Sequence, residues 1–146
     1  MKTSLFGLQV LLLLQLLCCV CSGAVIELDS STFESEVSEG EWLVEFYTPW
    51  CGVCKQFTPV FTRVGDQLTA DPAHKIRFGK VDADAQLALS SRFMITSIPT
   101  VYHIKDGVVR QMDIAMNDKE FANNVAAATW NKNEPWEGFL APFSTA

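Results

Sequence analysis

An almost unbroken apolar run, Trp42 to Tyr47, leads within a few residues into a long amphipathic stretch, and this junction limits the folds open to the chain. With apolar residues at both odd and even positions, the run reads as a central strand buried on both faces. Beyond it, Phe57, Val60, Phe61, Val64 and Leu68 recur at helical spacing and predict a helix from the Pro49-Trp50-Cys51-Gly52 turn to about Leu68. Pro59 lies inside that helix, so a kink or break is expected there.

The rest of the chain continues the alternation. Val25 to Leu28 is a short strand, and Asp29 or Ser30 can cap a helix through about Glu39 that Gly40 ends. Ile76 to Val81 is a strand interrupted by Lys80, and Ala85 to Phe93 reads as a helix. Thr100 to Ile104 and Val108 to Met112 flank Lys105-Asp106-Gly107, a hairpin signal. Asn117 or Asp118 caps a last helix running to about Trp130. The order β-α-β-α-β-α-β-β-α implies an α/β fold, with parallel pairing through right-handed crossovers and a final antiparallel hairpin. The expected architecture is a central mixed sheet flanked by helices.

A length of 146 residues suits one domain. Met1-Lys2, the Leu-rich Leu5 to Leu17 and the small residues that follow read as a signal peptide over 1–23. A folded domain over 24–130 and an aromatic, proline-containing tail over 131–146 complete the division. A net charge of −6 without a basic cluster argues against a nucleic-acid partner.

Removing the leader also removes Cys18, Cys19 and Cys21, so Cys51 and Cys54 remain as a single close pair. A small secreted domain held by bridges would carry four or more cysteines. The pair closes too small a loop to contribute much through chain entropy. Its position matters more than its spacing, because it falls where a buried strand enters a helix. Unpaired N–H groups and the helix dipole there favour negative charge, so Cys51 is expected to ionise readily and to act as nucleophile. Cys54, one turn on, would resolve a mixed disulfide. Two other uses compete, a zinc half-site and a permanently closed structural disulfide. Zinc needs about four ligands, and the remaining soft ligands, His74 and His103, fall far from the pair in the expected fold. No metal is therefore expected, and no bound cofactor either, since the electrons of exchange reside in the dithiol.

The segment Val44 to Lys55, with Cys51-Gly52-Val53-Cys54 at its centre, closely resembles the active-site segment of the protein disulfide isomerase family within the thioredoxin superfamily. Lys80-Val81-Asp82 and Ile98-Pro99-Thr100 match later family blocks. Arg92 to Thr96, Pro99 to His103 with Lys105-Asp106-Gly107, and Glu134-Pro135-Trp136 look like the thioredoxin-related transmembrane branch. The resemblance implies a thioredoxin-like fold with a five-stranded mixed sheet, and a Cys51–Cys54 redox disulfide. It also implies that Pro99 is cis opposite the pair and that Ile98 presents its backbone to an extended substrate. Trp50, Gly52, Val53, Ile98 and Pro99 are then the substrate-facing set.

Two charges inside apolar strands acquire a role from the same resemblance. Glu45 would accept the Cys54 proton, and Lys80, expected on the neighbouring strand, would pair with it unless the acid is protonated. Two departures stand out. Val53 occupies a position where protein disulfide isomerases usually have His, which removes a donor that favours the Cys51 thiolate and makes the pair less oxidising. The loop Asp113 to Asn117, around Met116, lacks the arginine many relatives carry.

The expected function is thiol–disulfide exchange on cysteine-containing client proteins in the endoplasmic reticulum or beyond, leaning towards reduction or modest isomerisation. A thiol oxidase or a reductant such as glutathione would reset the pair. Relatives of that branch are membrane-anchored, and no span is visible in this sequence. The rival reading is a thioredoxin-fold chaperone that holds clients through the Trp50–Ile98 rim.

Overall fold

The computed structural model describes residues 24–136, so the expected leader lies outside the described residues, as does the tail beyond Trp136. Five strands form one sheet: β1 Val25–Glu27, β2 Glu41–Tyr47, β3 Ile76–Asp82, β4 Thr100–Lys105 and β5 Val108–Met112. Four helices connect or follow them: α1 Phe33–Val37, α2 Gly52–Thr69, α3 Leu87–Arg92 and α4 Asp118–Ala126. The strand order is β1-β3-β2-β4-β5, with β1, β3 and β2 parallel and β4 and β5 antiparallel. This is a thioredoxin-like fold.

β2 is the middle strand, and its alternation divides the core. Trp42, Val44 and Phe46 face one layer with Phe33, Leu89, Phe93 and Tyr102. Leu43 faces the other, with Phe57, Phe61, Val64, Phe78, Val101 and Phe121 under α2 and α4. The period of two places Glu45 on that second face, beneath α2. The helix runs on through Pro59 without a break. Gly65 lets it lie close to the sheet, since a Cβ there would meet Val25 Cγ2 at 2.7 Å and the Phe78 ring at 3.0 Å.

The ends of several elements differ from the sequence reading. Helix α1 is one short turn, because the Asp29 carboxylate accepts from the N–H groups of Ser31 and Thr32 and delays its start. Helix α3 is likewise shorter at both ends than Ala85 to Phe93. Helix α4 is capped by Asn117, whose side chain accepts from Glu120 N, but stops at Ala126. Ala128 then takes a left-handed conformation and Thr129–Lys132 forms a 3-10 turn that buries Trp130. The hairpin turns at Asp106 and Gly107, both with positive φ, which suits a two-residue loop between twisted strands.

The segment beyond Trp130, expected as a separate tail, packs on the domain as far as Trp136. Pro135 bridges Arg110 of β5, Trp136 N donates to Val109 O at 2.7 Å, and the Trp136 ring stacks on Phe93.

Candidate active site

Strand β2 delivers Thr48, Pro49 and Trp50 to the start of α2, and Cys51 is the residue that caps the helix. Its backbone is extended, and its Sγ accepts the N–H of Cys54 at 3.1 Å. A sulfur in this position takes one of the N–H groups that a helix start leaves without a partner, so the sulfur that best fits the site is an anion. Cys51 and Cys54 are joined as a disulfide with Cα atoms 5.2 Å apart. They differ in access: Cys51 is 7 % exposed and Cys54 only 1 %. Gly52 and Val53, between them, are exposed.

Facing the pair is the loop before β4. The Ile98–Pro99 bond is cis, and the Ile98 carbonyl oxygen lies 4.0 Å from Cys51 Sγ. Trp50 is 66 % exposed, yet its indole N–H donates to Asp84 Oδ2, so the ring is held rather than free. A groove of about 540 Å³ opens beside it, lined by Trp50, Leu87, Met94, Ile95 and Ile98 among others. Leu87 and Met94 are large apolar residues left exposed along it.

Beneath the pair, Glu45 is completely buried. Desolvation pushes its carboxyl up to about 7, against the opposing effects of a hydrogen bond from Thr58 and the charge of Lys80. Thr58 Oγ1 donates to Glu45 Oε1 at 2.7 Å, and Oε2 has no hydrogen-bond partner. Of the two expectations for Glu45, pairing with Lys80 or protonation, the ion pair does not form, and the raised pKa agrees with a protonated acid. The two are register partners on β2 and β3, but Lys80 Nζ lies 2.9 Å from Glu27 Oε1 on β1. Tyr47 reinforces this choice by donating its hydroxyl to the same Glu27 oxygen at 3.1 Å. Lys80 is half-buried and Glu27 exposed, so the ammonium keeps part of its hydration by turning outward.

Two of these partners escaped the sequence reading. Thr58 stands four residues after Cys54 on the same helix, a spacing that puts both on one side and could have flagged it. Asp84 carried no such signal. Met116 is exposed in the loop before α4, and Arg63 of α2 is committed to Asp118 through two hydrogen bonds of 2.7 and 2.8 Å. His103 stands towards the other end of β4, stacked on Trp130 and 2.8 Å from Glu41. Among the described residues, no group of three or more His, Cys, Asp or Glu could hold a metal ion.

The family model for thioredoxin matches residues 24–127. The chain is 38 % identical over 112 residues to "Thioredoxin-related transmembrane protein 1" of Bos taurus, covering 75 % of this chain and 38 % of that protein. It is 33 % identical over 118 residues to "Protein disulfide-isomerase TMX3" of Homo sapiens, covering 75 % of this chain and 24 % of that one. The chain thus spans well under half the length of these relatives. Among solved structures, the first thioredoxin domain of mouse protein disulfide-isomerase A4 is similar with a TM-score of 0.62 and 27 % identity, covering 82 % of this chain and 86 % of that one.

Proposed function

This chain belongs to the thioredoxin family, and from that premise we propose that it carries out thiol–disulfide exchange on cysteine-containing proteins in the lumen of the endoplasmic reticulum. The observation that carries the reading is the cap: Cys51 Sγ holds the Cys54 N–H at the start of an 18-residue helix, at the edge of an exposed apolar groove. A thiolate is the nucleophile of exchange, and this site favours it.

In the reductive direction, the Cys51 thiolate attacks one sulfur of a client disulfide, and the other client sulfur leaves as a thiolate. Cys54 then gives its proton to Glu45 and attacks Cys51 Sγ. The bond between Cys51 and the client breaks, and the released client thiolate takes up a proton. Two electrons pass to the client, and the pair ends as the Cys51–Cys54 disulfide. A thiol reductant such as glutathione resets it, and a thiol oxidase drives the reverse direction. Val53 in place of an imidazole leaves the pair on the reducing side of the isomerase range. The secretory compartment is read from the leader-like residues 1–23, and similarity to a thioredoxin-related transmembrane protein supports a membrane-associated setting. Among the described residues no helix is long and apolar enough to cross a membrane.

The test is Cys51→Ser, assayed for reduction of a disulfide-linked peptide. Loss of turnover is expected, and undiminished turnover sinks the proposal. A second reading, client holding without redox turnover, draws support from the exposed Trp50, Leu87 and Met94 along the groove. Suppression of client aggregation by a variant lacking both cysteines would favour it.

A further inference from the structure

Threonine hydroxyls inside a helix ordinarily turn back to the carbonyl four residues earlier. Thr62 does so to Thr58 O at 2.8 Å, and Thr69 to Gly65 O at 2.7 Å. Thr58, on the same helix, does not. Its hydroxyl crosses to the sheet and donates to Glu45 Oε1 at 2.7 Å. Thr58 also lines a cleft of about 230 Å³ together with Cys54, Tyr47, Pro49 and Pro59. It therefore touches the buried acid and also lines the cleft that Cys54 lines.

We propose that Thr58 is a positioning residue for the resolving half of the exchange, committing one oxygen of the Glu45 carboxylate and leaving Oε2 to take the Cys54 proton. The inference rests on the exchange reading above. The proton balance is simple: the Cys54 S–H bond breaks, an O–H bond forms at Glu45 Oε2, and the Thr58 hydroxyl donates to Oε1 before and after. A carboxylate with both oxygens unheld in an apolar layer would be free to rotate and would be a poorer anion, because nothing there stabilises its charge.

The surroundings agree. Lys80 on β3 lowers the acid's pKa with its positive charge, Glu27 on β1 opposes it, and Tyr47 is a further ionisable group that senses the Glu45 charge. The register partner on β4, Val101, is apolar. Of the influences that hold the acid's pKa down, the Thr58 hydrogen bond is the largest.

The experiment is a carbon-13 NMR titration of the Glu45 carboxyl in the reduced protein, run beside the pH profile of mixed-disulfide resolution. Thr58→Val keeps the shape and removes the hydroxyl, Thr58→Ala serves as a second such variant, and Thr58→Ser keeps the hydroxyl. Without it, the Glu45 midpoint should rise by roughly one pH unit. Half-maximal resolution should move up with it, and Ser should restore both. An unmoved midpoint in Val and Ala overturns the proposal. So does a moved midpoint with an unmoved profile, or a slowing that is uniform across pH, which is what a merely structural role would give. Wild-type protein that performs no exchange would sink the exchange reading itself, before any Thr58 variant is compared.

Discussion

Glu45 and Lys80 stand directly across from one another on parallel strands, yet the ammonium turns to Glu27 and the carboxyl is left to Thr58. The acid therefore has a hydroxyl for company and no ion-pair partner. Its ionisation is held back by burial, and that has consequences for stability as well as for proton transfer.

The Glu45 carboxyl loses its proton near pH 7 in the folded chain and near 4.5 in an unfolded one. Below pH 4.5 both states hold the proton and the group is neutral in its effect. As pH rises from 4.5 to 7 the unfolded chain releases the proton first, so folding stability falls, by on the order of 3 kcal/mol once ionisation is complete. Glu45→Gln keeps an acceptor for Thr58 and cannot ionise. Urea unfolding of the oxidised protein should show the variant gaining at pH 8 relative to wild type, with little gain at pH 5. Equal changes at both pH values would contradict the burial argument.

Cys54 is almost fully buried and Cys51 is the outer sulfur. Cys54→Ser should leave attack intact and block resolution, so clients accumulate as mixed disulfides with Cys51. Non-reducing electrophoresis after mixing with an oxidised peptide would show the adduct, and added dithiothreitol should release it. An adduct that forms equally well with Cys51→Ser would reverse the assigned roles.

Val53 is about half exposed at the rim of the pair. An imidazole there would stabilise the reduced, thiolate form, so Val53→His should make the disulfide more oxidising. A tenfold change in the equilibrium with glutathione corresponds to roughly 30 mV, and a rise of at least that order is expected. A potential that stays put would remove the basis for a reductive bias.

Trp130 is buried against the face beneath α2 and α4, and its ring lies 4.3 Å from that of His103. Trp130→Ala should cost roughly 3–5 kcal/mol in an equilibrium unfolding experiment. Trp136, half-buried on Phe93 at the other layer, should cost less, about 1–2 kcal/mol. If Trp136→Ala left stability unchanged, the packing of the last described residues would count for nothing.

The almost unbroken apolar run Trp42 to Tyr47, the short strand patterns at Val25 to Leu28 and Ile76 to Val81, the helical stripe Phe57-Phe61-Val64 and the Lys105-Asp106-Gly107 turn are local patterns, and they were enough to read the five strands, their order along the chain and the helix that starts at the cysteine pair. Family resemblance added the facing proline and the acid below the pair. Element ends were less legible at Asp29, Ala126 and Ala128, because caps and left-handed turns depend on which side chain wins a few backbone groups. Pro59 did not break its helix: its ring costs one hydrogen bond, which the packing of Phe57, Val60 and Phe61 outweighs. What only the tertiary structure decided is partner choice. Lys80 could meet Glu45 or Glu27, Thr58 could bond its own helix or cross to β2, and residues 131–136 could leave the domain or lie along β5. Each choice compares alternatives of similar strength whose groups are distant along the chain, so desolvation and packing settle them, and neither is a property of any local stretch of sequence.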